Sequence, residues 1–266
     1  MPCPKYDFHM HTAHIGCANQ TMIVADIVET CTRVGCSAIG ISDHLNSLDQ
    51  LPTHERIKAD LEAVVPGIDV YFGVELNFVG CDQGFAFNTD IKEEYGFQFA
   101  VGGIHDVYTT EYDLAKIIEI QHRHHLRTCE DPLVDVLVHP YWFSRQPFNE
   151  NHWPWFDSVS VVPDAYAREL GQVARDTGTA VEINAMANVA SVSFSEPYIE
   201  AYVRYLSIIA AEGPMFSVGS DAHDIGQLPN VADAWKVAER LGLDETRIWR
   251  PAQTAFRRPT ASGGSL

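Results

Sequence analysis

The chain has 266 residues, 46% of them hydrophobic and 20% charged, and a formal net charge of −18. That composition supports one large domain or two small ones with an ordinary core. It leaves no run of about 18 apolar residues for a membrane span. It also shows no charged-then-apolar start of a signal peptide, so a cytosolic protein is expected. Binding to long nucleic acid or to an anionic membrane is not expected, because phosphate-backbone binding needs clustered Lys and Arg. The excess carboxylates either solvate the surface or hold cations, which would supply the positive charge a small anionic substrate needs.

Short, nearly continuous apolar runs alternate with amphipathic stretches along the chain. The runs at 5–9, 36–42, 68–75, 97–104, 134–139, 179–184 and 215–220 read as strands buried on both faces of a parallel sheet. Between them, apolar residues at helical spacing predict helices over 22–34, 53–65, 111–126, 164–177, 196–212 and 230–242. Thr21 is the expected N-cap of the first helix. Gly35, Gly178 and Gly213 stand where helices hand over to strands. The stretch 76–95 reads as loop with short elements. Strand–helix alternation of this kind means an α/β fold. With no internal repeat and no linker before the Gly- and Ser-rich end, one domain over 1–256 and a flexible tail over 257–266 are expected.

Each predicted strand delivers polar residues at its C-terminal end. In order these are His9 and His11; Asp43 and His44; Glu75; His105 and Asp106; His139; Glu182 and Asn184; and Asp221 and His223. In a parallel α/β barrel all such ends open onto one rim, where active sites are built. A single strand-end histidine is more often packed than ligating, but seven strand ends in succession are not explained that way. His9 and His11 alternate across Met10, so both rings point to one face, and Asp221 and His223 do the same across Ala222. Imidazole with carboxylate suits Zn, Mn or Fe. The donors exceed the four of one tetrahedral site, which points to a cluster of two or three divalent ions bridged by Glu75 or Asp221.

The ordered set DFHMHT, SDH, GVE, GGIHD, LVHP and GSDAH, running from Asp7 to about Asp224, resembles the polymerase and histidinol phosphatase (PHP) superfamily. The resemblance implies a distorted (β/α)7 TIM-like barrel carrying a trinuclear centre that hydrolyses phosphoesters by attack of a metal-bridging hydroxide. Carried over residue by residue, it implies one ion on His9, His11, Glu75 and Asp221, and a second on Glu75, His105 and His139. A third would sit on His44, His223 and a residue from the loop after His11, with Asp221, Glu75 and His223 central to catalysis. In that loop the chain departs from relatives that read HTxxxGHA. Cys17 stands where the histidine is expected and His14 lies three residues earlier. Either can ligate; His14 is favoured because a thiolate would bias the site towards softer metals.

Arg145 is a basic residue expected on the rim, suited to hold a phosphate oxygen or else simply exposed. Asn184 is a possible donor to substrate. Tyr141, Trp142, Phe143, Trp153 and Trp155 either floor a pocket or pack their loop. Asp43, Asp106 and Asp224 are placed to orient metal-bound histidines. His54, His122, His124, His125 and His152 read as surface residues. The six cysteines form no CxxC pair and read mostly as reduced, packed thiols. The expected function is hydrolysis of a small-molecule phosphate ester, histidinol phosphate among the candidates. The alternatives are a nuclease or nucleotide phosphodiesterase, and an amidohydrolase-type hydrolase. The last commonly bridges its metals with a modified lysine at a strand end, and no predicted strand here ends in lysine.

Overall fold

The computed structural model describes residues 5–81 and 83–259. Its strands are β1 (Tyr6–Asp7), β2 (Ala38–Ile41), β3 (His44–Leu45), β4 (Asp69–Asn77), β5 (Phe99–Gly103), β6 (Val136–Leu137), β7 (Ala180–Asn184) and β8 (Phe216–Gly219). The helices are α1 (Val24–Val34), α2 (Leu51–Ala63), α3 (Thr89–Tyr95), α4 (Leu114–Cys129), α5 (Arg145–Glu150), α6 (Asp164–Thr177), α7 (Glu196–Glu212) and α8 (Val231–Arg240). Strand order is sequential, β1-β2-β4-β5-β6-β7-β8, and every pairing between these strands is parallel. β3 resumes the line of β2 after Ser42 and Asp43 and pairs with the far end of β4. Backbone bonds from Phe8 N to Val218 O (3.1 Å), Asp221 N to His9 O (2.7 Å) and His11 N to Ala222 O (3.1 Å) bridge the seam between first and last strands. The result is a nearly closed barrel of seven parallel strands, the distorted TIM-like architecture expected.

β4 shows why the strands read as unbroken apolar runs. Val70, Phe72, Val74 and Leu76 point outward into a cluster with Ile27 and Val28 of α1 and Ile57 and Leu61 of α2. Tyr71, Gly73 and Glu75 point into the barrel, so both faces are buried. The floor of the barrel is the ring of Phe99, wedged against Phe8 and Trp249 with centroids 6.3 and 5.8 Å away. Gly40 and Gly73 make room for it: an added Cβ would lie 2.5 and 2.3 Å from Phe99 Cζ. Gly73→Ala is therefore expected to destabilise the fold by about 2 kcal/mol through overpacking. Chemical denaturation of Gly73→Ala, Phe99→Leu and the double variant checks this. Two losses that merely add would refute the contact as the cause.

α6 and α7 span the predicted ranges, and Gly35, Gly178 and Gly213 end their helices in the left-handed region at φ 104°, 82° and 97°. α1 starts later than expected. Its N-cap is Ile23, Met22 turns into the core, and Thr21 bonds Asp224 instead. In the stretch read as loop, β4 extends to Asn77 and Asn88 caps α3 by accepting from Ile91 N. Arg257, placed in the expected tail, pairs both backbone groups with Val70, and residues 260–266 of that tail lie outside the described residues.

Four histidines expected on the surface are buried: His54, His122, His124 and His125. His122 stacks on Tyr166 at 4.0 Å and bonds Glu169. His124 packs on Phe78 and Tyr108, and His125 on Tyr141. Burial lowers His124 to about 4 and His125 well below its ordinary value, so both pack as neutral rings. Helical spacing places the three α4 histidines on its inner face, where a neutral ring packs much as an apolar one does. His152 is exposed. No helix among the described residues is long and apolar enough to cross a membrane.

Candidate metal centre

The rim at the C-terminal ends of the strands gathers the expected donors. Past β1 the chain stays extended, so His9 and His11 point inward while Met10 is buried in the outer cluster. β4 carries Glu75 to the middle of the rim, fully buried. Around its carboxylate, His44 Nδ1 lies 2.7 Å, His9 Nε2 3.4 Å and His11 Nε2 3.5 Å from Oε2. His105 Nε2 and His139 Nε2 each lie 3.1 Å from Oε1. Asp221 Oδ1 stands 3.2 Å from His11 Nε2 and 3.6 Å from His9 Nε2.

These approaches are close, yet Glu75 Oε2, His9 Nε2 and His44 Nδ1 are buried with no hydrogen bond. Nitrogen and carboxylate oxygen atoms crowded around shared centres, several of them without a well-formed hydrogen bond, are the arrangement cations need. Four overlapping groups have all donor atoms within 4.8 Å of one another: His9, His11 and Asp221; His9, Glu75 and His139; His44, Glu75 and His105; and His11, Cys17, His44 and His223. An ion bonded at about 2.0–2.3 Å reaches donors up to about 4.6 Å apart, so each group fits one ion with little adjustment.

The electrostatics fit as well. Burial alone would raise the Glu75 carboxyl, but His44, His9 and His105 hold it well below the usual range. Against burial, Glu75 and Cys17 raise His44 to about 10. The metal-free site thus keeps protons on imidazoles to balance its carboxylates, and binding cations would displace them.

Glu182, fully buried on β7, is committed to positioning. It accepts from His9 Nδ1 (2.8 Å), from His139 N (2.8 Å) and from Asn184 Nδ2 (2.9 Å). With Nδ1 so occupied, His9 turns Nε2 to the centre. His105 is fixed likewise by Asn77 Oδ1 at 3.0 Å. Asn184, expected to donate to substrate, is instead buried and engaged on Glu182, on Asp221 Oδ2 (3.3 Å) and on Ala187 N. Asp43 accepts from Thr12 N, Asp106 from Val107 N, and Asp224 caps the turn at 225–230, so the three aspartates expected to orient histidine rings serve the backbone. Glu182→Gln is expected to weaken metal binding about 10–100-fold, because an amide must turn a donor towards one of its three donors. Competition with a chelator measures this, and unchanged affinity would remove Glu182 from the positioning role.

Two glycines open the space. A Cβ at Gly103 would meet His105 at 2.6 Å and Glu75 and His139 at 2.9 Å; one at Gly219 would meet Glu182 Oε1 at 2.2 Å. His139 and Asp221 take left-handed backbone, φ 32° and 55°, conformations that cost about 1–3 kcal/mol each and collect at functional sites.

The loop after His11 corrects one expectation. Gly16 turns left-handed at φ 84°, and Asn19 N bonds His223 O, which brings Cys17 back over the rim. His14 points away from the centre, with Nε2 2.7 Å from Asp60 Oδ2 of α2. Cys17, not His14, joins His11, His44 and His223. Cys17 is exposed at the rim; its partial desolvation pushes the thiol up, but hydrogen bonds with His223 and His44 outweigh this and bring it down to about 7. Arg145 lies outside this cluster, at the start of α5, with its guanidinium 4.3 Å over the ring of Trp155.

No curated protein matches the chain in sequence. A solved structure of a Listeria monocytogenes protein assigned as a histidinol phosphatase is similar with a TM-score of 0.56 and 14% identity, covering 84% of this chain and 97% of that one. A structure of N-isopropylammelide isopropylaminohydrolase from Burkholderia multivorans gives a TM-score of 0.46 and 11% identity, covering 85% of this chain and 58% of that one. The sequence profile of the PHP domain matches residues 7–185, more than half of the chain. That stretch holds His9, His11, His44, Glu75, His105 and His139, six of the converging donors, and the chain belongs to the PHP domain family.

Proposed function

We propose that the chain is a phosphoesterase acting on a small-molecule phosphate ester, with two or three Zn, Mn or Fe ions at the rim. The observation that carries this reading is Glu75, a buried carboxylate faced by five imidazoles at 2.7–3.5 Å with one oxygen left unbonded. One ion would be held by His9, His11, Glu75 and Asp221, a second by Glu75, His105 and His139, and a third by His44, His223 and Cys17. Such ions supply a hydroxide near neutral pH and neutralise charge on phosphoryl and leaving oxygens.

The chain's own residues set the geometry for this chemistry. Glu182 and Asn184 fix His9, His139 and Asp221 from beneath. Trp142 stands beside His105 and His139, with ring centroids 6.0 and 5.6 Å away, and limits water on that side. His44, His105 and His223 are the more exposed rings and face the open cavity of about 150 Å³ where a phosphoryl group would enter. Glu75 would take the bridging place that a modified lysine fills in amidohydrolases, which favours the phosphoester reading. Histidinol phosphate is one substrate of suitable size.

Phosphate release from sugar, amino-alcohol and nucleotide monoesters by protein loaded with Mn, Fe or Zn tests the reading. Turnover of at least one monoester, lost on chelation, is expected. Activity confined to amides or lactones would overturn it.

A further inference from the structure

A larger cavity of about 670 Å³ opens beside the metal centre, and Trp142 lines both. Its size is that of a small-molecule site. Its walls are mostly aromatic. Trp155 stacks on Phe156 at 5.2 Å and 11°, and Phe194 stacks on Tyr198 at 4.7 Å and 15°. These two pairs come from chain segments about 40 residues apart, yet both present rings to one space. Stacked pairs of this kind offer flat apolar faces to a flat ligand.

One cation lines the cavity, Arg145. Its guanidinium lies on the Trp155 face, which leaves its N–H edges free to donate in the plane. No carboxylate pairs with it among the described residues, in a chain with 36 acidic and 18 basic residues. Asp157 is the one acidic residue lining the cavity; it too has no ion-pair partner, and its side chain is exposed. Arg145 is exposed like Asp157, and its guanidinium, held flat on the indole and without a carboxylate partner, can receive an anionic group of a ligand. Arg145 does not line the small cavity of the centre, so that group is distinct from the reacting phosphorus.

We propose that this cavity is the leaving-group subsite, and that it takes a flat aromatic ring carrying a carboxylate, which Arg145 binds. This rests on the phosphoesterase reading for the reaction, but the binding site stands on the cavity alone. Trp142, between the two spaces, marks the passage from ring to phosphoryl group.

The test has a binding arm and a kinetic arm. Chelator-treated protein is titrated with 2-naphthoate, 2-naphthamide and cyclohexanecarboxylate by isothermal calorimetry. Naphthoate should bind about tenfold or more tighter than either analogue, and Arg145→Gln should remove that advantage over the amide. Phe194→Ala should weaken naphthoate and naphthamide alike. Metal-loaded protein should hydrolyse 4-carboxybenzyl phosphate with a kcat/KM at least about tenfold above that of butyl phosphate. Absent naphthoate binding, or affinity unchanged in Arg145→Gln, overturns the proposal. Equal turnover of the two phosphates also overturns it and leaves the phosphoesterase reading standing. Arg145-dependent naphthoate binding with no phosphate ester turned over upholds the aromatic-carboxylate site and overturns both its leaving-group role and the phosphoesterase reading.

Discussion

Glu75→Gln is expected to abolish phosphoester turnover, by a factor of about 10³ or more, and to leave fewer than two ions per chain; that loss corresponds to about 4 kcal/mol of transition-state stabilisation. The amide keeps the shape of the side chain but has no charge to share, and it presents a donor where both carboxylate oxygens face imidazole nitrogens. Elemental analysis alongside the phosphate-release assay measures both effects. The metal-free protein adds an independent readout. Glu75 and Cys17 hold His44 near 10 against burial, a raised pKa in the folded state. Such a group contributes stability that is full below its ordinary value of 6.5 and is lost as pH rises towards 10. The lowered Cys17 thiol acts in the opposite sense over part of this range, so the readout is the difference: the stability advantage of metal-free wild type over Glu75→Gln should shrink as pH rises between those limits. Native circular dichroism with full metal content in the variant would remove Glu75 from the centre of the site.

The donors were legible in the sequence because they obey strand geometry. Alternation across Met10 requires only an extended chain and a rim, and the barrel supplies both; Asp221 and His223 reach the rim through left-handed backbone at Asp221 instead. What lay beyond reading was set by contacts between distant segments. Glu182 looks from sequence like one more strand-end ligand. Only the parallel register of β6, β7 and β8 shows both its oxygens consumed by His9, His139 and Asn184. Gly103 and Gly219 carried a usable signal, since glycine in a strand marks close approach, but not what approaches. The histidines of α4 lie inward because a neutral imidazole packs readily against tyrosine and phenylalanine, which residue polarity does not foretell. For His14 and Cys17 the softness of a thiolate favours the imidazole, but the backbone of the loop decides which side chain reaches the rim.

Cys17→Ser is expected to cost one ion per chain and at least about tenfold in turnover, and His14→Ala to cost neither. The loop decides this. Thr12 is tied to Asp43 through its amide, Ile15 N returns to Thr12 O, and this turn sends the His14 ring out to Asp60. Gly16 then reverses the chain, and the bond from Asn19 N to His223 O fixes Cys17 among His11, His44 and His223. His223 and His44 already bring its thiol down to about 7, so little proton affinity opposes binding of a cation. Sulfur with three imidazoles is a softer donor set than the carboxylate-rich side of the rim, so this position should select Zn over Mn. Cobalt substitution gives a readout that does not depend on turnover. Thiolate bonded to cobalt absorbs in the near ultraviolet. That band should be present in wild type and in His14→Ala and missing in Cys17→Ser. A band that survives in Cys17→Ser, or a metal count that falls only in His14→Ala, would return the role to His14 and require the loop to swing by a full turn when metal binds.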